Sequence, residues 1–196
     1  MVSVTHAVAN LAAESPVKLI AEGLGAQEYA QIEAALTLAE EVYEGHVLGT
    51  GEAVYTHAVG MALIAASLRL DVDTRVAALL FALHEYADET QLSVLESSSP
   101  MVALLVEGLH RLNGLRLQTR RNANATAPEI RAQTEVLRKM VLGMVQDIRV
   151  VLLRLASRTQ TLRYYTEQPS EERIAVARES LDIYAPLANR LGVWQL

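Results

Sequence analysis

The sequence predicts an all-α protein, an irregular bundle of about eight to ten helices, larger than a four-helix bundle and joined by mostly short loops. Three observations carry this. Apolar residues recur at intervals of three and four along most of the chain. One Phe, one Trp and seven Tyr leave the core to Leu, Val, Ala and Ile, a mix that packs helices closely. No segment shows strand alternation between turn residues; even Val150-Val151 lies in a long run with helical spacing.

The first strong helix is predicted over residues 26–44, where Ile32, Leu36, Ala39 and Tyr43 share a face while Glu33, Glu40 and Glu44 turn outward. Gly45, Gly49 and Gly51 end it, and an apolar stretch over 53–70 follows with His57 in its first turns. Asp73 is the expected N-cap of a central helix running to about Tyr86. Ser99-Pro100 opens another, because Pro at the first helical position breaks no hydrogen bond; it ends near Asn113-Gly114. Residues 116–127 read as a polar surface loop, and Pro128 restarts helix over 129–144. A long helix is predicted over 147–165, and Pro169, Glu171 and Glu172 open the last.

At 196 residues, 51% hydrophobic and 20% charged, the chain has material for one substantial core. A net charge of −6 argues against broad nucleic-acid binding. The absence of cysteine excludes disulfides, thiolate metal sites and cysteine nucleophiles. No apolar run approaches the roughly 18 residues of a membrane span, and no signal-peptide pattern opens the chain, so the expected location is cytoplasmic and off the membrane.

Four blocks carry more specific information: Gly51-Glu52-Ala53-Val54-Tyr55-Thr56-His57, Ala77-Ala78-Leu79-Leu80, Asp147-Ile148-Arg149-Val150-Val151-Leu152, and Ile183-Tyr184-Ala185-Pro186-Leu187-Ala188-Asn189-Arg190-Leu191-Gly192. In order and interval they resemble the N-terminal hydrolase half of the RelA/SpoT family, enzymes of guanosine tetra- and pentaphosphate, over residues 26–196. The resemblance implies an HD-domain phosphohydrolase fold over 26–180, an unassigned N-terminal extension over 1–25, and a linker helix over 181–196 toward a synthetase domain outside the chain.

In active members that this half resembles, a histidine, a His-Asp pair and a distant aspartate bind manganese, which activates water against the 3′-pyrophosphate. A metal lowers the pKa of the attacking water and neutralises developing charge, and imidazole and carboxylate suit it. Laid onto this chain, the first histidine is His57, but the His-Asp pair falls on Phe81-Ala82 and the aspartate on Ser157. The supporting Glu-Asp pair falls on Glu85-Tyr86, a basic phosphate contact on Leu48, and an Asn on Thr161. The similarity therefore implies a degenerate hydrolase site with no manganese and no cofactor, as in the RelA branch, whose next domain transfers pyrophosphate from ATP to GTP or GDP. Its implied partners are that synthetase domain, and the ribosome and uncharged tRNA through further C-terminal domains.

Taken alone, His57 reads as a buried structural histidine, and Phe81 as core filling the volume of the former ion. Two other functions stand beside the pseudo-hydrolase: an active phosphohydrolase with ligands relocated to His57, His84 and Glu85, and an interaction or homo-oligomerisation module with an exposed apolar face. Asp88 is expected in solvent, His46 and His110 have no acidic neighbour at ligand spacing, and Arg111, Arg116, Arg120, Arg121 and Arg131 read as a solvated basic region. Asn189 and Arg190 are expected to fix the connection to the next domain.

Overall fold

The computed structural model describes residues 15–114, 147–168 and 170–193. The predicted loop over 116–127, the helix over 129–144 and Arg116, Arg120, Arg121 and Arg131 lie outside them. Among the described residues the chain is helical, with one isolated antiparallel bridge between Val47 and Ala53. The elements are α1 (Pro16–Ile20), α2 (Ala26–Tyr43), α3 (Val54–Ser67), α4 (Val72–Leu79), α5 (Leu83–Tyr86), α6 (Glu89–Ser98), α7 (Pro100–Gly114), α8 (Ile148–Glu167), α9 (Glu172–Glu179), a π-helical turn (Ser180–Tyr184) and α10 (Ala185–Arg190).

Helix α3 is the hub, because nearly every residue from Ala58 to Ala65 is apolar and buried, so it must be covered on all sides. It packs chiefly on α4 and α8. Two glycines permit the closest approaches: a Cβ at Gly60 would overlap the side-chain amide of Gln160, and one at Gly108 of α7 would press on Val150 at 2.8 Å. Each glycine lets α8 sit a side chain nearer its neighbour than any other residue allows.

The described residues of the N-terminal extension, 15–25, pack onto this core. Ile20 is fully buried, and Arg75, itself 3% exposed, holds α1 down. Its Nη1 donates to the carbonyls of Ile20 (2.7 Å) and Glu22 (2.9 Å), and its Nε to that of Leu70 (2.7 Å). A buried guanidinium needs these acceptors, since an unpaired one forfeits its hydration without return.

Two expectations are corrected. The N-cap of α4 is Asp71, whose Oδ1 accepts from the Thr74 amide (2.9 Å) and hydroxyl (2.6 Å); Asp73 lies in the first turn. Asp88 is exposed, as expected, and its carboxylate also caps a helix, α6, accepting from Gln91 N–H at 2.8 Å. The single helix expected from 74 to 86 is broken after Leu79, because the Ala82 N–H donates to the Tyr43 hydroxyl (3.2 Å) and Leu83 N–H donates to Leu80, three residues back. The break falls on Phe81-Ala82.

The last helix also changes pitch, at Ser180–Tyr184, where Ala185 N–H donates to Ser180, five residues back. Pro186 has no N–H, and its ring crowds the carbonyl four residues earlier, so one turn widens instead of the helix ending.

Arg149 joins α8 to the start of α4: Nη2 meets Asp147 Oδ2 at 2.6 Å and Nη1 meets Asp71 Oδ2 at 2.9 Å. Burial alone raises the Asp71 pKa, but the Thr74 hydroxyl and amide, with Arg149, outweigh it and hold the carboxyl below its ordinary value. The Arg149 hydrogen bonds hold Asp147 low as well. Carboxyls with depressed folded pKa values stabilise the fold above their unfolded value, about pH 4, and lose that contribution as pH falls through the folded values. Melting temperature should therefore fall below about pH 4, and Asp71→Asn should make that fall shallower. An acid slope identical in the variant removes Asp71 from the account.

Candidate functional site

The turn between α2 and α3 sets the site. Leu48 N–H donates to the Glu52 carbonyl (2.8 Å) and Gly51 N–H to that of Leu48 (2.8 Å). Gly51 takes φ +86°, where any other residue is strained. This places Glu52 just before α3, one turn from His57, with its side chain directed inward at 2% exposure.

There the Glu52 carboxylate accepts from two sides. Oε2 lies 2.7 Å from His57 Nδ1, and Oε1 accepts from Gln160 Nε2 at 2.6 Å. The other imidazole nitrogen, His57 Nε2, lies 3.0 Å from Ser157 Oγ. A carboxylate only accepts, so Nδ1 carries the proton; with the ring neutral, Nε2 accepts from the Ser157 hydroxyl. The Gln160 side-chain oxygen is buried against Gly60 without a hydrogen-bond partner. Ser157 and Gln160, three apart on α8, face the same way, which is why one helix supplies both.

Phe81 closes the apolar side, its ring centroid 5.2 Å from that of His57 and 6.1 Å from that of Tyr43, edge to face with the latter. Phe81 is 6% and Ala82 3% exposed. Burial pushes the Tyr43 phenol well above its ordinary pKa, so it stays a neutral bridge to the Ala82 amide.

The structure thus brings His57, Phe81, Ala82 and Ser157 into one cluster, although they come from three separate stretches of sequence. Thr161 sits beside it, its hydroxyl donating to the Ser157 carbonyl at 3.1 Å. Leu48 is half-buried against the core. Glu85 is exposed, and Tyr86 packs on Tyr43 (5.9 Å) and His46 (4.4 Å).

His84 does not join His57. Its Nε2 meets Glu107 Oε2 at 3.2 Å and its ring lies 4.9 Å from that of His110, while Arg111 Nε bonds Glu107 Oε1 at 2.6 Å. His110 therefore does have an acidic neighbour, one turn back on α7. Among the described residues, no three His, Asp or Glu side chains are grouped so as to hold a metal ion.

Sequence reasoning passed over the roles of Glu52 and Gln160. Glu52 stood in the first block, but its partner depends on how the turn folds. Gln160 carried only its three-residue spacing from Ser157.

The class that these features define is the HD domain: the family model of that description matches residues 35–194, and the chain belongs to that family. Within the class it is a RelA/SpoT-type HD domain. It is 37% identical over 180 residues to the bifunctional (p)ppGpp synthase/hydrolase SpoT of Escherichia coli (strain K12), covering 92% of this chain and 24% of that protein. It is 41% identical over 174 residues to the guanosine-3′,5′-bis(diphosphate) 3′-pyrophosphohydrolase of Vibrio cholerae, covering 86% and 23%. It is 36% identical over 162 residues to the GTP pyrophosphokinase of Myxococcus xanthus, covering 83% and 21%. The chain spans about a quarter of the length of the curated relatives it matches. No helix among the described residues is long and apolar enough to cross a membrane.

Proposed function

We propose that this chain is a pseudo-hydrolase: an HD domain that no longer cleaves (p)ppGpp and instead regulates or scaffolds the GTP pyrophosphokinase of a longer cytoplasmic stringent-response enzyme. One observation carries the reading most directly. Both nitrogens of His57, the surviving member of the ligand set, are taken inside the protein, Nδ1 by Glu52 and Nε2 by Ser157.

A manganese ion does not fit these residues. It needs several imidazole or carboxylate donors converging on one point. Around His57 the remaining ligand positions present a phenyl ring, a methyl group and a hydroxyl, and the Glu52 carboxylate is spent on His57 and Gln160. The relocated set of His57, His84 and Glu85 has no such point either, since His84 pairs with Glu107 and Glu85 faces solvent.

A route from this cluster to the end of the chain supports regulation. Ser157 touches His57; the next residue, Arg158, bonds Glu179 Oε2 at 2.6 Å and lies 4.3 Å over the Tyr184 ring. Helix α8 thereby joins the former site to α9 and the π turn. A synthetase domain following residues 181–196 would feel a shift of α8 through that contact, provided the interface has two arrangements of different energy. The ribosome and uncharged tRNA would act through other domains of such an enzyme.

The test is an assay of the purified chain with guanosine tetraphosphate and manganese, with elemental analysis of bound metal. No turnover and no stoichiometric metal are expected, and Phe81→His or Ala82→Asp singly should restore neither, because each adds one ligand where several are needed. Turnover with one metal per chain would overturn the reading.

A further inference from the structure

A cavity of about 190 Å³ opens between α2, α4, α6 and α7, and it shares no residue with the Glu52–His57–Ser157 cluster. It exists because α2 and α7 both pack on α4 but hardly on each other. On that side α2 presents only Ala34 and Ala35, where a larger side chain would close the gap. Ala35, Val76, Leu80, Leu95 and Val102 are buried and form an apolar wall. Gln31 and Ala34 are exposed, so the mouth lies at the surface.

Gln31, Asp73 and Ser99 supply the polar part of the lining, which contains no Lys, Arg or His among the described residues. Asp73 is half-buried in the first turn of α4, whose amides are already capped by Asp71. Asp71 is also paired with Arg149, whereas no ion pair or side-chain hydrogen bond joins Asp73 to another described residue. A carboxylate that is neither cap nor ion-pair partner, set beside an apolar wall, favours a cation that carries an apolar body.

We propose that this cavity binds a small primary amine whose apolar body is about one aromatic ring, with the ammonium at Asp73 and the ring against Val76, Leu80 and Leu95. Small-molecule sites have this composition, a mostly apolar wall with a few polar groups that fix orientation. The size agrees, since an apolar cavity of about 150 Å³ takes a benzene molecule, so this one suits a ring with a short chain. An ammonium has three N–H donors, and Asp73, Ser99 and Gln31 each carry an oxygen that accepts. An anion would be repelled by Asp73, and a plain hydrocarbon would displace its water without replacing the hydrogen bonds.

The test titrates the isotope-labelled chain with phenethylamine and with its uncharged isostere phenethyl alcohol, following backbone amide shifts by NMR. Saturable shifts are expected at Ala35, Val76, Leu80, Leu95 and Val102, with a dissociation constant for the amine on the order of 1 mM, the usual range for so small a ligand. The alcohol should bind about fivefold more weakly, the scale of one solvent-accessible ion pair. Asp73→Asn should abolish that preference and keep the fold, because Asp71 is the cap. The comparison of the two ligands on the unaltered chain decides the matter even if the variant fails to fold. Equal affinities there, shifts that do not saturate or lie elsewhere, or an amine preference that survives in Asp73→Asn overturns the proposal. None of these outcomes depends on whether guanosine tetraphosphate is hydrolysed.

Discussion

Phe81→Ala is expected to lower the free energy of unfolding by about 3–5 kcal/mol, the usual cost of truncating a buried phenylalanine. The ring lies between His57 and Tyr43 and closes the polar cluster on its apolar side. Its removal loses apolar burial and leaves a cavity against the Glu52–His57–Ser157 chain, where water would compete for those hydrogen bonds. Phe81→Leu, which keeps much of the volume, should cost about 1.5 kcal/mol or less. Urea unfolding of both variants checks this; a loss below about 1 kcal/mol for Phe81→Ala means that the ring does not fill the site.

Glu52→Ala is expected to cost a comparable amount, about 2–5 kcal/mol, by a different mechanism. Two buried donors, His57 Nδ1–H and the Gln160 amide, lose their acceptor at once, and each unsatisfied buried group costs about 1–3 kcal/mol. Gln160→Ala removes one donor and leaves the carboxylate on His57, so it should cost less. A double-mutant cycle should show coupling above about 0.5 kcal/mol. Additive effects would mean that the 2.6 Å contact between Gln160 and Glu52 adds nothing to the fold.

Element type was legible wherever the apolar spacing was long: α2, α3, α7 and α8 lie close to where periodicity put them. The break at Leu80–Ala82 was not, because residues 74–86 contain no glycine or proline. It is made by Tyr43, almost forty residues away, taking the Ala82 amide out of the helix ladder. Helix α6 was missed because its signals are an Asp cap and a weak apolar stripe, here Asp88 with Leu92 and Leu95.

What the sequence determined by itself was the helical class and the RelA/SpoT-type HD resemblance, since these depend on residue identity and spacing alone; the same resemblance implied that Phe81, Ala82 and Ser157 stand at former ligand positions. Only the tertiary structure decided what took over the site. Hydrogen bonds are short and directional, so partners 100 and 108 residues apart, Ser157 with His57 and Gln160 with Glu52, are set by how closely α8 lies on α3. That approach rests on Gly60, which leaves the space that Gln160 occupies.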